Sequence, residues 1–219
     1  MDLKLIYGNM RALCEAPQMM LYYADIPYEY KMVWDHYGSS WAEVKKDIIF
    51  NRLPILIINE DRYIWQSNTI IRYLSNLTKT KPSDEFQLAY CDAVFESTHE
   101  MFSPLNPTIN MTFGEKYNSN KKKLLEDILP NSLNNFEKLL QNSSGNFFIG
   151  NDPYYCDFNA YHHFSMCLIL DKNIFSNFPN INKFINNFEE LNNIKKYLDI
   201  RPELVELGES PHFIIDGKK

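Results

Sequence analysis

A glutamine and a serine stand side by side at Gln66 and Ser67, ahead of a segment in which Ile70, Ile71 and Leu74 recur at helical spacing. A hydroxyl at the start of a helix can cap it. The unpaired backbone N–H groups there, with the positive end of the helix dipole, also form a site for a carboxylate or phosphate. Upstream, Leu53 and Pro54 lead the apolar run Ile55 to Ile58. A proline immediately before a strand fixes the turn, and a cis bond is one form that such a turn takes. Together these features describe a place that can hold an extended, peptide-like anion by its backbone. A second chemical group is Tyr7, at the end of the apolar run that begins at Leu3, because ligand sites of α/β sheets collect at the carboxyl ends of strands.

The remaining reactive residue types point elsewhere. Cys14, Cys91, Cys156 and Cys167 lie far apart, without the CxxC spacing of zinc or redox sites, and read as free thiols of a reducing compartment. Cys14 falls inside a predicted helix, where packing is favoured over redox chemistry, and the other three sit in helical patterns as core residues. His162 and His163 are adjacent, so they point to different faces of a helix and lack the i, i+4 spacing of a metal pair; no metal site is expected. The chain has 219 residues, 45% of them hydrophobic, with a net charge of −6, enough apolar content for a core and the wrong sign for broad attraction to nucleic acid or an anionic membrane. The start at Met1 has no basic region leading into an apolar run, and no segment approaches the roughly 20 apolar residues of a membrane span. A cytoplasmic location is the default expectation. The Asn-rich patches at 131–135 and 181–187 read as compositional bias without function.

The elements that position these groups follow from periodicity. Leu3 to Tyr7 reads as a strand, Leu13 to Ala24 as a helix, Tyr28 to Val33 as a strand and Ser40 to Ile49 as a helix. The proline-led strand follows, then a turn at Asn59 to Asp61, a strand at Tyr63 to Trp65 and a helix from Ser67 to Leu77. The order is β-α-β-α-β-β-α, with the first two strands parallel across a crossover helix and the last two antiparallel. A polar linker from Lys79 to Ser83 carries Pro82, and beyond it strand signals cease. Helices are expected at 84–103, 120–141, 155–170, 181–191 and 194–198, with Pro104 and Pro107 interrupting the first of them. The division is thus an α/β domain over 1–78 and an all-α domain over 84–219. The latter ends in an irregular tail that is expected to pack back through Phe213, Ile214 and Ile215.

This arrangement resembles the cytosolic glutathione transferases, whose N-terminal domain is thioredoxin-like. Lys4 to Arg11 is similar to the first strand and loop of the sigma class, in which the tyrosine is catalytic, and Asp25 to Glu29 to that class's lead into its second strand. Leu53 to Leu56 with Gln66 and Ser67 is similar to the family's most specific motif. Phe148 to Asn151 with Asp157 and Phe158 is similar to its turn into a core helix. The resemblance implies conjugation of glutathione to small hydrophobic electrophiles, with glutathione as co-substrate and no other cofactor, in a homodimer. Glutathione-dependent isomerisation or peroxide reduction would use the same thiolate. It implies that Tyr7 hydrogen-bonds the glutathione sulfur and favours its thiolate. Ser67 and Gln66 would take the γ-glutamyl carboxylate, and Leu53, set by Pro54, would pair its backbone with the cysteinyl part. Trp41 and Lys45 would meet the glycine end, Arg52 would be a further contact, and Glu100 would reach the α-amino group from a neighbouring subunit.

Departures from the sigma pattern concentrate around Tyr7. The loop there carries Arg-Gly-Arg in that class and Arg11, Ala12 and Leu13 here. The second arginine is lost, and electrostatic support for a thiolate falls to Arg11 if it turns inward. Gly8 stands where an aromatic is usual, which widens the site or loosens the loop. Tyr154 replaces the hydroxyl residue that would partner Asp157 in a capping box, leaving Asp152 as an alternative cap. A hydrophobic second-substrate pocket is expected between the loop after Tyr7, the region 101–111 and the tail. Two other functions stay open: a glutathione- or hydrophobic-ligand-binding protein with little turnover, and a scaffold that uses the fold without chemistry.

Overall fold

A computed structural model describes residues 1–201; the expected tail contact through Phe213, Ile214 and Ile215 lies outside the described residues. Strand β1 (Leu3–Tyr7) is central, pairing in parallel with β2 (Glu29–Met32) and antiparallel with β3 (Ile55–Ile58), which pairs antiparallel with β4 (Arg62–Trp65). The order β2-β1-β3-β4 is the mixed sheet anticipated from the sequence. Alternation distributes the strand residues between two faces. Leu3, Leu5, Tyr7, Leu56 and Ile58 enter the main core against α1 (Glu15–Tyr23) and α4 (Ser67–Leu77), while Ile6, Ile55 and Ile57 join Val33 and Ile48 in a smaller core beneath Trp34 and Trp41. Each such side chain, fully buried, contributes roughly 1.5–3 kcal/mol.

The second face is covered by less helix than the sequence suggests. Val33–Tyr37 forms α2, which the strand reading of Tyr28 to Val33 did not anticipate; it stops at Gly38 (φ 67°), whose N–H bonds the Trp34 carbonyl at 2.9 Å. The expected helix at 40–49 contracts to α3 (Trp41–Val44). Ser40 and Glu43 open α3 with a capping box, but extended Ile48 (φ −91°, ψ 128°) turns its side chain into the smaller core and ends the helical run.

Beyond the segment 78–84 the chain is helical: α5 (Glu85–Met111), α6 (Gly114–Lys123), α7 (Leu129–Gln141), α8 (Tyr155–Leu170), α9 (Pro179–Glu189) and α10 (Asn192–Ile200). The expected break at Pro104 and Pro107 does not occur. The carbonyls that lose their helical donors belong to Glu100 and Ser103, both on the exposed side, so α5 continues through both prolines. The expected helix 120–141 begins earlier and contains a π turn at Leu124–Ile128, next to Pro130, which has no N–H to continue the regular ladder. The resulting architecture is a thioredoxin-like β-α-β-α-β-β-α domain followed by an all-helical one.

One buried polar contact fixes the second part against the first, and another braces the second part internally. Glu15, fully buried at the start of α1, accepts from Arg201 Nη1 at 2.7 Å and from the Tyr197 hydroxyl at 2.9 Å. On α8, Asp157 accepts the Phe148 N–H at 3.1 Å through Oδ1 and the Tyr154 N–H at 2.8 Å through Oδ2. Asp157 itself therefore performs the capping that the sequence left to Asp152. Burial pushes its carboxyl up to about 7, against the opposing pull of those N–H groups. Replacing it leaves two donors without an acceptor in the interior, so Asp157→Ala is expected to lower unfolding free energy by about 2–4 kcal/mol in urea titrations. A loss below about 0.5 kcal/mol would contradict its structural role.

Candidate functional site

The carboxyl end of β1 opens into a cavity of about 510 Å³, and seven residues singled out from the sequence line it: Tyr7, Trp41, Lys45, Arg52, Leu53, Gln66 and Ser67. Three others do not. Pro54 is buried behind Leu53, Glu100 is exposed on α5, and Arg11 is directed away. The Arg11 guanidinium lies in the field of Glu15 and Arg201, and burial, followed by the Arg201 charge, lowers its pKa while Glu15 raises it.

The chain reaches the cavity wall through a cis Leu53–Pro54 peptide and leaves β4 through Gln66, which holds φ 70° and ψ 119°. A non-glycine residue in this region costs about 1–3 kcal/mol and is typical of ligand clamps. Gln66 occupies the cap position of α4 without a side-chain capping bond, and Ser67, mostly buried, is the first helical residue. The hydroxyl thus does not cap the helix as the sequence suggested; both it and the backbone N–H groups of the first turn face the cavity end. Lys45 and Arg52 line the same cavity, with the Lys45 ammonium 6.0 Å from the Trp41 ring centroid.

In the same cavity, the Tyr7 hydroxyl accepts the Leu13 N–H at 3.3 Å. Burial, then the nearby Cys14, raises the Tyr7 pKa far beyond neutrality, so the phenol stays protonated and able to donate. The loop is held from below by the Tyr30 hydroxyl on the Gly8 carbonyl at 2.8 Å, and Ala12 adopts φ 30° where the sigma pattern has glycine. Cys14 is fully buried and burial raises its thiol well above the usual range, which removes it from redox chemistry at this wall. His162 and His163 are likewise buried, held neutral by desolvation, with His163 Nδ1 2.9 Å from the Thr98 carbonyl.

The rest of the lining includes Met10, Leu13, Asn106 and Met111, in the regions expected to form a second-substrate pocket, together with Trp34, Asn51 and His99, which the sequence did not single out. His99 lies seven residues before Asn106 on α5 and hence on the same helix face, a spacing that could have revealed it. A separate cavity of about 660 Å³ lies between α4 and α5 beside Arg72, Asp92 and Tyr155, and none of the expected glutathione contacts line it.

Residues 1–76 match the glutathione S-transferase N-terminal domain and residues 99–201 the glutathione S-transferase C-terminal domain. A glutathione S-transferase of Plasmodium yoelii yoelii is 30% identical over 173 residues, covering 77% of this chain and 79% of that protein. The chain belongs to the glutathione S-transferase family. Glutathione S-transferase P of Caenorhabditis elegans is 29% identical over 205 residues, 92% of this chain and 94% of that protein. The structure of the Onchocerca volvulus Pi-class glutathione S-transferase superposes with a TM-score of 0.79 at 25% identity, covering 91% of this chain and 93% of that one. The protein is a glutathione transferase, an enzyme with glutathione as co-substrate. Two of these relatives carry P or Pi class names, so the likenesses do not select the sigma class suggested by the Tyr7 loop. Among the described residues no helix is long and apolar enough to cross a membrane.

Gly8 tests the local geometry of this transferase site. A Cβ built there meets no atom within 4 Å, and Gly8 is not among the residues of positive φ. Gly8→Ala is therefore expected to raise stability by about 0.4–1 kcal/mol through the unfolded chain, measured by thermal unfolding. A loss of stability would show that the loop requires glycine.

Proposed function

We propose that this transferase is of the sigma-like tyrosine type and conjugates glutathione to small hydrophobic electrophiles, with residues 1–78 as the glutathione-binding domain and 84–219 as the helical domain. The observation that carries this is the lining of one cavity, which brings together an anion-receptive helix start at Ser67, the cations Lys45 and Arg52, and a protonated Tyr7 hydroxyl. Glutathione has a carboxylate at each end and a thiol between them. Its γ-glutamyl carboxylate meets Ser67 and Gln66, its cysteinyl backbone pairs with Leu53, and its glycine carboxylate meets Lys45, Arg52 and the Trp41 indole. Tyr7 donates to the sulfur, whose unperturbed pKa near 8.5 leaves it mostly protonated at neutral pH. Arg11 enters as a loop residue tied to the Glu15 side instead of as a thiolate contact.

The electrophile lies on the apolar wall formed by Met10, Leu13 and Met111. Two subunits assemble with exposed Glu100 of one reaching the α-amino group of glutathione in the other. A cytoplasmic role in detoxification fits four cysteines that are all free and buried. Isomerisation and peroxide reduction are side activities open to the same thiolate.

Conjugation of a chlorodinitrobenzene separates capture from turnover. Tyr7→Phe is expected to lower kcat/KM by about 10- to 100-fold, the value of a hydrogen bond to a charged sulfur, with glutathione affinity within about twofold. Ser67→Ala is expected to weaken glutathione binding by about tenfold in calorimetry. Equal turnover by wild type and Tyr7→Phe would remove Tyr7 from the chemistry, and tight binding without turnover by the wild type would favour a ligand-carrying role.

A further inference from the structure

Tyr7, Lys45, Arg52 and His99 are the titratable side chains that line the cavity among the described residues. Lys45 and Arg52 are cations, and Tyr7 is a phenol held protonated by burial. The imidazole of His99 is thus the lining side chain able to accept a proton near neutral pH. Among the residues that line the cavity the loop after Tyr7 supplies no cation, since Leu13 is aliphatic and Arg11 is not part of the lining. His99 is half-buried, its ring resting on Phe102 with centroids 6.0 Å apart and planes 29° apart.

We propose that His99 accepts the thiol proton of bound glutathione and then stands as an imidazolium beside the thiolate that Tyr7 hydrogen-bonds. Resting on the glutathione reading of the cavity, the role makes His99 a catalytic residue that supplies what the lost loop arginine does not. The S–H bond breaks with its electron pair left on sulfur, and the proton passes to the unprotonated ring nitrogen of His99. The sulfur pair then forms the bond to the electrophilic carbon, and the leaving group departs with its own bonding pair, as chloride does from a chlorodinitrobenzene. The imidazolium returns its proton to solvent.

The surrounding charges allow both protonation states. Burial keeps the unliganded imidazole neutral; Glu96, one turn earlier on α5, raises its pKa, and Arg72 on α4 lowers it. Glu96 and Arg72 are themselves ion-paired, so their influences on His99 oppose. His163 on α8, on the other side of Phe102, is neutral, and Lys45 and Arg52 line the same cavity. An incoming thiolate is the uncompensated charge that stabilises the imidazolium, as in cysteine–histidine pairs.

The full-length protein saturated with glutathione tests this through the ultraviolet absorbance of the bound thiolate as a function of pH, with calorimetry and thermal unfolding on the same samples. His99→Gln is expected to raise the midpoint of thiolate formation by about one pH unit and to lower kcat/KM about tenfold at pH near 6.5, with glutathione affinity within about twofold. The activity deficit should shrink above the shifted midpoint, where the thiolate forms unaided. Should His99→Gln not fold, His99→Asn is read by the same criteria. A folded, glutathione-binding variant with an unshifted midpoint overturns the role of His99 alone. Failure of the wild type to bind glutathione overturns this role and the glutathione reading together.

Discussion

A sheet buried on both faces sets the rest of this structure. Leu5 and Leu56 pack on one side and Ile6, Ile55 and Ile57 on the other, so both faces of β1 and β3 are sealed by apolar contacts. Polar chemistry is excluded from the faces, since a charged or unpaired group there would have to surrender its hydration. The strand ends are where backbone and side-chain polar groups can meet a ligand, and β1 delivers Tyr7 there while β3 and β4 bracket Leu53 and Gln66. Lys4, the charged residue on the Ile6 side of β1, is there with carboxylate partners, bonded to Glu60 at 3.0 Å and close to Glu29 at 3.5 Å.

The site divides its work between capture and activation, and the two have different physical bases. In the proposed reading, capture uses backbone N–H groups at the start of α4 and the cations Lys45 and Arg52, which are present whatever the state of the sulfur. Activation requires that a thiolate be favoured, and the phenol of Tyr7 provides one hydrogen bond to it. The tie of Glu15 to Arg201 and Tyr197 holds the start of α1 against α10, just beyond the loop that carries Leu13.

Much of this was legible in the sequence wherever one strong signal acted alone. Leu3–Tyr7, Ser67–Leu77 and Tyr155–Leu170 have the limits that their apolar periodicity indicates. The sequence failed where local rules met tertiary demands. Ser40 begins a helix by its own chemistry, but Ile48 is claimed by the core; Pro104 and Pro107 break rules of the helix interior, but their lost bonds fall on the exposed side of α5. The site residues divide in the same way. Those belonging to a contiguous motif, Leu53, Gln66 and Ser67, line the cavity, while Trp34, Asn51 and His99 come from elements that only the fold brings to it. Arg11 had the expected place in sequence, but it does not line the cavity, and its charge lies in the field of Glu15 and Arg201, the latter 190 positions away.

The central claim is that one cavity orients glutathione with its carboxylates at the two charged ends and its sulfur at Tyr7. A crystal structure of the protein with glutathione bound tests it most directly. The γ-glutamyl carboxylate should lie within hydrogen-bond reach of the Ser67 hydroxyl and N–H, with the sulfur about 3.0–3.5 Å from the Tyr7 oxygen. Glutathione seated with its sulfur away from Tyr7, or bound in the cavity between α4 and α5, would contradict the account.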